Sequence, residues 1–308
     1  PSPQADAGYD VSNYRDIEPV FGTRDEAEAL IAEAHALGIR VLLDVVPNHT
    51  SDEHPWFVEA LASAPGSPER ERYIFRDGSG PDGAAPPNDW LSVFGGTAWQ
   101  KVDDATRRPG EPAQWYLHLF DTKQPDLNWD NPAVRSEFED ILRFWFDRGA
   151  DGFRIDVAHG LIKDPALPNL DGRSTIPMLE PAGQAPHLLD AADRADHPHW
   201  DRPGVHEVYR SWRRLADSYD PPRVFVAEAW VSPADRLVEY VRADELHTSF
   251  NFDFLVSPWQ AAWLRTTIDR TIESHTRVGA PPTWVLSNHD VVREVSRLAR
   301  PDLADTTH

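Results

Sequence analysis

Short apolar segments that end in polar side chains constrain the fold of this chain more than any other feature. Four of them span residues 39–46, 152–157, 224–228 and 283–287, and each ends in or just before Asp, Glu, Asn or His. A near-continuous apolar run of this length is typical of a strand buried on both faces, as in a parallel sheet. Because longer stretches with helical periodicity separate these segments, we predict repeated βαβ units and an α/β fold.

The stretches between the strands carry recognisable helix ends. Thr23 followed by Glu26 forms a capping box, Gly38 is placed to end that helix, and Pro132 suits the first turn of another through about residue 148. In the first helix we expect an inward apolar stripe of Ala27, Leu30, Ile31, Ala34 and Leu37. Further helices are predicted near 204–218, 233–242 and 258–278, and a fifth strand near 247–254.

Three carboxylates follow separate predicted strands, and parallel strands bring their carboxyl ends to one edge. These are Asp156, Glu228 and Asp290. Both a (β/α)8 barrel and an open doubly wound sheet place their sites at this edge, and the lack of a glycine-rich phosphate loop weighs against the open-sheet nucleotide enzymes. Clustered carboxylates repel one another, so we expect at least one to stay protonated near neutral pH.

The surroundings of two of these carboxylates differ. Arg154 lies two residues before Asp156 and on the same face of a strand, so we expect it to lower the pKa of Asp156. Glu228 is flanked by Ala227 and Ala229, an apolar setting that raises the pKa of a carboxyl. An ionised carboxylate beside a protonated one is the pair that cleaves a glycosidic bond. The alternative is a structural Arg–Asp ion pair under a loop.

Composition limits the possible partners. The net charge is −21, which disfavours nucleic acid and anionic membranes and favours a neutral or cationic small-molecule substrate. There is no cysteine and no apolar run long enough for a membrane span, so we expect neither disulfides nor Cys-ligated metal and favour a cytoplasmic location. The chain begins with Pro rather than Met, and nothing in it indicates an oligomeric state.

Taken together, four motifs resemble those of glycoside hydrolase family 13, the α-amylase family. They are Asp44-Val45-Val46-Pro47-Asn48-His49, Gly152-Phe153-Arg154-Ile155-Asp156, Ala227-Glu228-Ala229-Trp230 and Ser287-Asn288-His289-Asp290, in the family's order. The resemblance implies a (β/α)8 barrel in which Asp156 is the nucleophile, Glu228 the acid/base and Asp290 the transition-state stabiliser. It also implies that Arg154, His49 and His289 bind the reacting sugar.

Two further stretches resemble the oligo-1,6-glucosidase and α-glucosidase branch of that family. They are residues 6–14, from Asp6 to Tyr14, and Gln124-Pro125-Asp126-Leu127-Asn128. The resemblance implies that Asp6 binds a terminal glucose and that the ring of Tyr9 stacks on it. We also predict that Phe120 and Gln124 bind the substrate. Residues 1–49 then correspond to part of the barrel through strand 3, residues 50–125 to the inserted domain B, and residues 126–308 to the barrel from helix 3 to the start of helix 7. The variable loop after strand 4 corresponds to 158–203.

The resemblance implies a retaining α-glucosidase that acts on short oligosaccharides by double displacement. Val157 is the residue type associated with α-1,6 action, whereas Ala158-His159-Gly160 is closer to enzymes that cut α-1,4 bonds, so the linkage stays open. Two alternatives share these motifs: an isomerase or transglycosidase that forms trehalose or isomaltulose, and a catalytically silent relative that serves as a binding module. All three triad positions are acidic, which favours an enzyme.

Mapped on that family, the chain starts after strand 2 and stops after strand 7. Strands 1, 2 and 8, a C-terminal β-domain and an active-site Arg beyond residue 308 lie outside it. No cofactor is expected, and a structural calcium site of the family would lie mostly in the missing N-terminal segment. We therefore interpret the chain as a fragment. Because unpaired sheet edges favour aggregation, we predict that the 308-residue chain alone is poorly stable and inactive. Cooperative unfolding together with glucosidase turnover would refute this.

Overall fold

A parallel five-stranded sheet forms the centre of the protein, in a computed structural model that describes residues 1–103, 107–172, 197–231 and 234–298. The strands are, in chain order, β1 (Leu42–Val45), β2 (Phe75–Asp77), β3 (Trp99–Lys101), β4 (Gln114–Leu117), β5 (Gly152–Ile155), β6 (Val224–Ala227), β7 (Thr248–Asn251) and β8 (Thr283–Trp284). The helices are α1 (Arg24–Ala36), α2 (Pro55–Ala62), α3 (Pro132–Phe146), α4 (Val205–Asp217), α5 (Ala234–Leu237), α6 (Phe252–Val256), α7 (Ala261–Val278) and α8 (Glu294–Arg297). Single turns of 3₁₀-helix span Arg70–Arg72, Pro81–Gly83 and Val238–Val241.

The order of the parallel strands identifies the architecture. It is β1-β5-β6-β7-β8, so each strand lies beside the next parallel strand along the chain. A doubly wound sheet reverses its strand order at a switch point, whereas a (β/α)8 barrel adds strands in sequence. The predicted α/β fold, with about five consecutive barrel strands, is therefore confirmed. None of the helices in the described ranges has the length and apolar character needed to cross a bilayer.

The register of the strands brings their carboxyl ends to one level. Val45 of β1 pairs with Ile155 of β5, which in turn pairs with Ala227 of β6. Asp156 and Glu228 are the residues directly after Ile155 and Ala227, so the two carboxylates leave the same edge of adjacent strands. At the opposite end of β5, a Cβ on Gly152 would lie 2.1 Å from the carbonyl oxygen of Val224, so only glycine fits there.

Helices α3 and α4 cover the outer face of the sheet. Their buried side chains form the main hydrophobic core with Phe153 of β5 and Phe225 of β6. They include Phe138, Ile141, Leu142, Trp145 and Phe146 from α3, and Val208, Trp212 and Leu215 from α4. These helices follow the predicted periodicity closely, because their sequence spacing matches one buried face.

The part of residues 50–125 that the structure describes contains a small antiparallel sheet in the order β2-β4-β3. A second core cluster joins it to the barrel loops, with Trp90 and Leu117 from the insertion packed with Val157 and Trp200. The insertion therefore lies over the carboxyl end of β5. Of the predicted loop over 158–203, residues 173–196 lie outside the described part, as do residues 299–308 at the end of the chain.

The first helix shows where the expected burial was wrong. Its capping box between Thr23 and Glu26 is present, and its Ile31 is buried. Leu30 and Leu37 are 64% and 77% exposed, although both were expected to face inward. The helix packs on one side against the segment before β5, where Ile31 lies next to Gly149 and His35 contacts Asp151 at 2.7 Å, and β1 is an edge strand with a single described neighbour. Apolar side chains are also exposed on and near α7 and β8 at the other edge, namely Trp259, Trp263, Ile272, Trp284 and Leu286.

Candidate active site

A cavity of about 150 Å³ opens at the carboxyl ends of the parallel strands. It is lined by Asp6, Ala7, Tyr9, His49, Phe94, Phe120, Asp156, Val157, Glu228, His289 and Asp290. Eight of the ten site residues predicted from the sequence are in this lining, and the other two, Arg154 and Gln124, are hydrogen-bonded to lining residues. The structure thus brings together residues that lie up to 284 positions apart in the chain (Asp6 to Asp290).

Arg154 lies next to the cavity lining and is bonded to two carboxylates, Asp156 and Asp44. Its Nη1 donates to Asp156 Oδ1 at 2.6 Å and to Asp44 Oδ1 at 3.0 Å. The same nitrogen lies 3.4 Å from the hydroxyl of Tyr9, and the guanidinium carbon lies 5.6 Å from the centre of the Tyr9 ring. A charge-assisted bond of this length orients Asp156 and favours its ionised form.

Glu228 is held through the backbone that follows Asp156. Its Oε2 accepts a hydrogen bond from Val157 N–H at 2.8 Å, and its carbonyl accepts one from Ala158 N–H at 2.8 Å. Val157 has φ of 44°, a left-handed conformation that is unusual for a β-branched residue and that directs its N–H to the carboxylate. The other oxygen, Oε1, accepts no hydrogen bond of normal geometry from the described residues, although the Trp230 side chain lies near enough to act as a donor that lowers the pKa of the carboxyl. Glu228 is thus fixed through Oε2.

Burial raises the pKa of both carboxyls. For Asp156, burial and then the charge of Glu228 raise the pKa well above its usual value, while Arg154 opposes them. For Glu228, burial raises the pKa to about 7, while Arg154 and the Val157 N–H oppose the shift. The expectation that Arg154 leaves Asp156 with a lowered pKa is therefore wrong in its net direction, because one guanidinium does not offset burial and a second carboxyl.

Two buried carboxyls that repel each other titrate as a pair and hold one proton between them over a wide pH range. Arg154 donates a charge-assisted bond directly to Asp156, whereas Glu228 accepts a neutral backbone N–H on Oε2 and no bond of normal geometry on Oε1. We therefore place the shared proton on Glu228. The apolar setting of Glu228, with Ala227 and Ala229 both buried, agrees with the pKa direction expected from the sequence.

Tyr9, His289 and Asp290 form one wall of the cavity. The rings of Tyr9 and His289 are stacked, with centroids 5.5 Å apart and planes 7° apart. His289 Nε2 lies 3.3 Å from Asp290 Oδ1. Asp290 also contributes to the raised pKa of Glu228, which shows that the third carboxylate lies close enough to act on the pair.

Asp6, His49 and Phe120 also line the cavity, and Gln124 lies just outside the lining, in contact with Asp6 and His49. Gln124 Nε2 donates to Asp6 Oδ2 at 2.9 Å and lies 3.0 Å from His49 Nε2. The rings of His49 and Phe120 are 5.2 Å apart. Burial lowers the pKa of His49, so its imidazole is neutral near neutral pH and presents one N–H and one lone pair.

Sequence reasoning missed Phe94, which lines the cavity from the inserted segment. Its ring packs edge-on against Phe120, with centroids 5.7 Å apart, and Phe94 is 51% exposed. Phe94 follows no strand and stands in an irregular stretch before Gly95 and Gly96, so the strand-end signal does not apply to it. In the described ranges, no group of three or more His, Asp or Glu side chains is arranged to hold a metal ion.

Proteins of similar sequence and structure show the family to which this chain belongs. The profile of the α-amylase catalytic domain matches residues 1–306. A probable α-glucosidase of Rhizobium meliloti is 40% identical over 312 residues, which cover 97% of this chain and 52% of the relative. An oligo-1,6-glucosidase of Parageobacillus thermoglucosidasius is 36% identical over 308 residues, covering 96% of this chain and 50% of the relative.

A solved structure extends the comparison beyond hydrolases. The isomaltulose synthase of Klebsiella sp. LX3 superimposes with a TM-score of 0.79 at 34% identity, covering 98% of this chain and 52% of that chain. The chain thus spans about half the length of these relatives. With a catalytic-domain profile matched over nearly every residue and relatives well above 30% identity, the chain belongs to the α-amylase family, glycoside hydrolase family 13.

Proposed function

We propose that this protein is a retaining α-glucosidase that removes terminal α-linked glucose from short oligosaccharides. The observation that carries the proposal is the pair of buried carboxyls on one cavity, Asp156 bonded to Arg154 and Glu228 with a raised pKa. Retaining glycosidases need one ionised nucleophile and one proton donor beside the same glycosidic bond.

The reaction proceeds in two displacements. Asp156 attacks the anomeric carbon and forms a carboxylate ester to the sugar, while Glu228 gives its proton to the departing glycosidic oxygen. Glu228, now ionised, removes a proton from water, and the resulting hydroxide displaces Asp156 from the anomeric carbon. Because each step inverts that carbon, the product keeps the α configuration. The carboxylate of Asp290 stabilises the positive charge that develops on the sugar.

The other walls of the cavity bind and orient the sugar. Asp6, His49 and His289 offer a carboxylate and two imidazoles for hydroxyl groups, and Tyr9 offers a ring face for stacking. Gln124 keeps Asp6 in place through its 2.9 Å hydrogen bond. Phe94 and Phe120 supply the apolar side of the cavity. These contacts supply the positioning that makes attack by Asp156 effective.

The isomaltulose synthase of similar structure supports a second candidate, transfer of the glucosyl group to a sugar instead of water. Both reactions share the glucosyl-enzyme intermediate and differ in the acceptor. The chemistry of Asp156 and Glu228 is the same in both, so the substrate and products distinguish them.

A panel of disaccharides tests the proposed function. The protein at its full natural length is expected to release glucose from maltose, isomaltose or both, with α-glucose as the first product seen by NMR. Sucrose and trehalose serve as comparison substrates. Conversion of sucrose into an isomeric disaccharide, with little free hexose, would instead establish the transfer reaction. A folded protein that turns over none of the four disaccharides would leave the binding-module alternative.

A further inference from the structure

A buried lysine lies behind the cavity and is not part of the reaction described above. The ammonium of Lys163 is surrounded by three oxygens: Asp126 Oδ2 at 2.7 Å, Asn48 Oδ1 at 2.7 Å and the carbonyl of Gly160 at 2.8 Å. Lys163 is 5% exposed, and Asp126 and Asn48 are fully buried. A buried ammonium of this kind is stable only when its hydrogens are matched by acceptors, and here all three are.

The ammonium fixes the orientation of the Asn48 amide. Lys163 can only donate hydrogen bonds, so the Asn48 atom that faces it must be the carbonyl oxygen. The NH₂ group of Asn48 is thereby turned to the other side, where it donates to Asp126 Oδ2 at 3.0 Å and lies 3.1 Å from His49 Nδ1. The two ends of the Asn48 amide therefore differ in their neighbours: the oxygen faces a donor, the ammonium of Lys163, and the NH₂ group faces an acceptor, the carboxylate of Asp126.

The amide in turn selects the tautomer of His49. An NH₂ group can only donate, so Nδ1 of a neutral His49 must carry the lone pair and Nε2 must carry the hydrogen. The Nε2–H then faces the carbonyl of Tyr9 at 3.2 Å. The opposite tautomer would satisfy Gln124 Nε2, which lies 3.0 Å from His49 Nε2, but it would set Nδ1–H against the Asn48 amide and lose the Tyr9 contact. Two contacts thus favour Nε2–H and one favours Nδ1–H.

We propose that Lys163 and Asn48 are positioning residues that hold His49 in the Nε2–H tautomer, so that this N–H is the donor offered to a sugar hydroxyl in the cavity. The role of the sugar rests on the proposed function, whereas the tautomer does not. The 3.2 Å bond to Tyr9 is long for an N–H···O bond and is replaceable by a ligand oxygen. The lysine therefore acts on the substrate through two intervening side chains.

Nitrogen NMR of the protein at its full natural length, labelled with ¹⁵N-histidine, tests the tautomer without any substitution. Long-range proton–nitrogen spectra show which ring nitrogen carries hydrogen, and the His49→Gln variant identifies the His49 signals. We expect a pyridine-type Nδ1 and a protonated Nε2 near neutral pH. A protonated Nδ1, alone or together with a protonated Nε2, would overturn the proposal. This outcome is independent of glycosidase activity, so failure of the proposed function is seen separately.

Two variants then test the positioning roles. Asn48→Leu removes the amide but leaves Lys163 with Asp126 and Gly160, and Lys163→Met frees the Asn48 amide to turn. We expect either variant to lose the single Nε2–H tautomer and to lower kcat/KM about tenfold, the size of one lost hydrogen bond to substrate. Lys101→Met, at an exposed position, is the control and is expected to change neither the tautomer of His49 nor kcat/KM. If Lys163→Met does not fold, Asn48→Leu decides; an unchanged tautomer and kcat/KM in Asn48→Leu would refute the roles.

Discussion

Replacing Asp156 by Ala is expected to lower kcat on an α-linked glucoside by about 10⁴-fold or more, because no covalent intermediate can form without the carboxylate. Arg154 bonds both Asp156 and Asp44, but only Asp156 of these two carboxylates lines the cavity. The rate is measured with an aryl α-glucoside and with maltose. Asp244→Ala, at an exposed position away from the cavity, is the control and is expected to keep full activity.

Rescue of Asp156→Ala by a small anion is a second test of Asp156 as the nucleophile. Azide can enter the space that the missing carboxylate leaves and attack the anomeric carbon directly. We expect it to restore part of the turnover of Asp156→Ala and to give a glucosyl azide of inverted configuration. If Asp156→Ala instead retains activity within tenfold of the unaltered protein, the nucleophile lies elsewhere.

The second large effect is expected at Glu228. Burial raises the pKa of Glu228 to about 7, so its proton is present below that pH and is lost as the pH rises through it. Since the first step uses this proton, kcat/KM on disaccharides is expected to fall on the alkaline side of its pH profile. Glu228→Gln should lower kcat on disaccharides by about 10²–10⁴-fold, the usual contribution of a general acid, and should abolish that alkaline limb.

Substrates with different leaving groups test whether Glu228 is the proton donor. An aryl glucoside with an acidic phenol leaves without a proton, so its first step should be much less affected in Glu228→Gln than that of maltose. Glu33→Gln, exposed on α1, is the control and is expected to keep the full pH profile. If the alkaline limb persists unchanged in Glu228→Gln, a group other than Glu228 causes it.

The sequence predicted the parts of this site that depend on local pattern. Asp156, Glu228 and Asp290 follow apolar strands, and a parallel sheet brings such positions together regardless of their distance along the chain. The capping box of Thr23 and Glu26 is likewise local and is present. The first prediction follows from the topology of parallel strands and the second from hydrogen bonds within one helical turn.

What the sequence did not predict depends on packing between distant segments. Strand β5 ends at Ile155, and the left-handed turn at Val157 brings its N–H to Glu228, a contact between residues 71 positions apart. The pKa of Asp156 depends on its burial and on Glu228, which outweigh its neighbour Arg154. Phe94 and Lys163 reach the site from segments without a strand-end pattern, so periodicity carries no information about them.

Trapping the glucosyl-enzyme intermediate identifies the nucleophile of this protein. The protein at its full natural length is incubated with a fluorinated α-glucosyl fluoride, whose ester to the nucleophile hydrolyses slowly, and is then digested and mapped by mass spectrometry. We expect one added fluoroglucosyl group, attached to Asp156 in the peptide that contains Ile155 and Asp156. A label on Glu228, on Asp290 or on any other residue would contradict it.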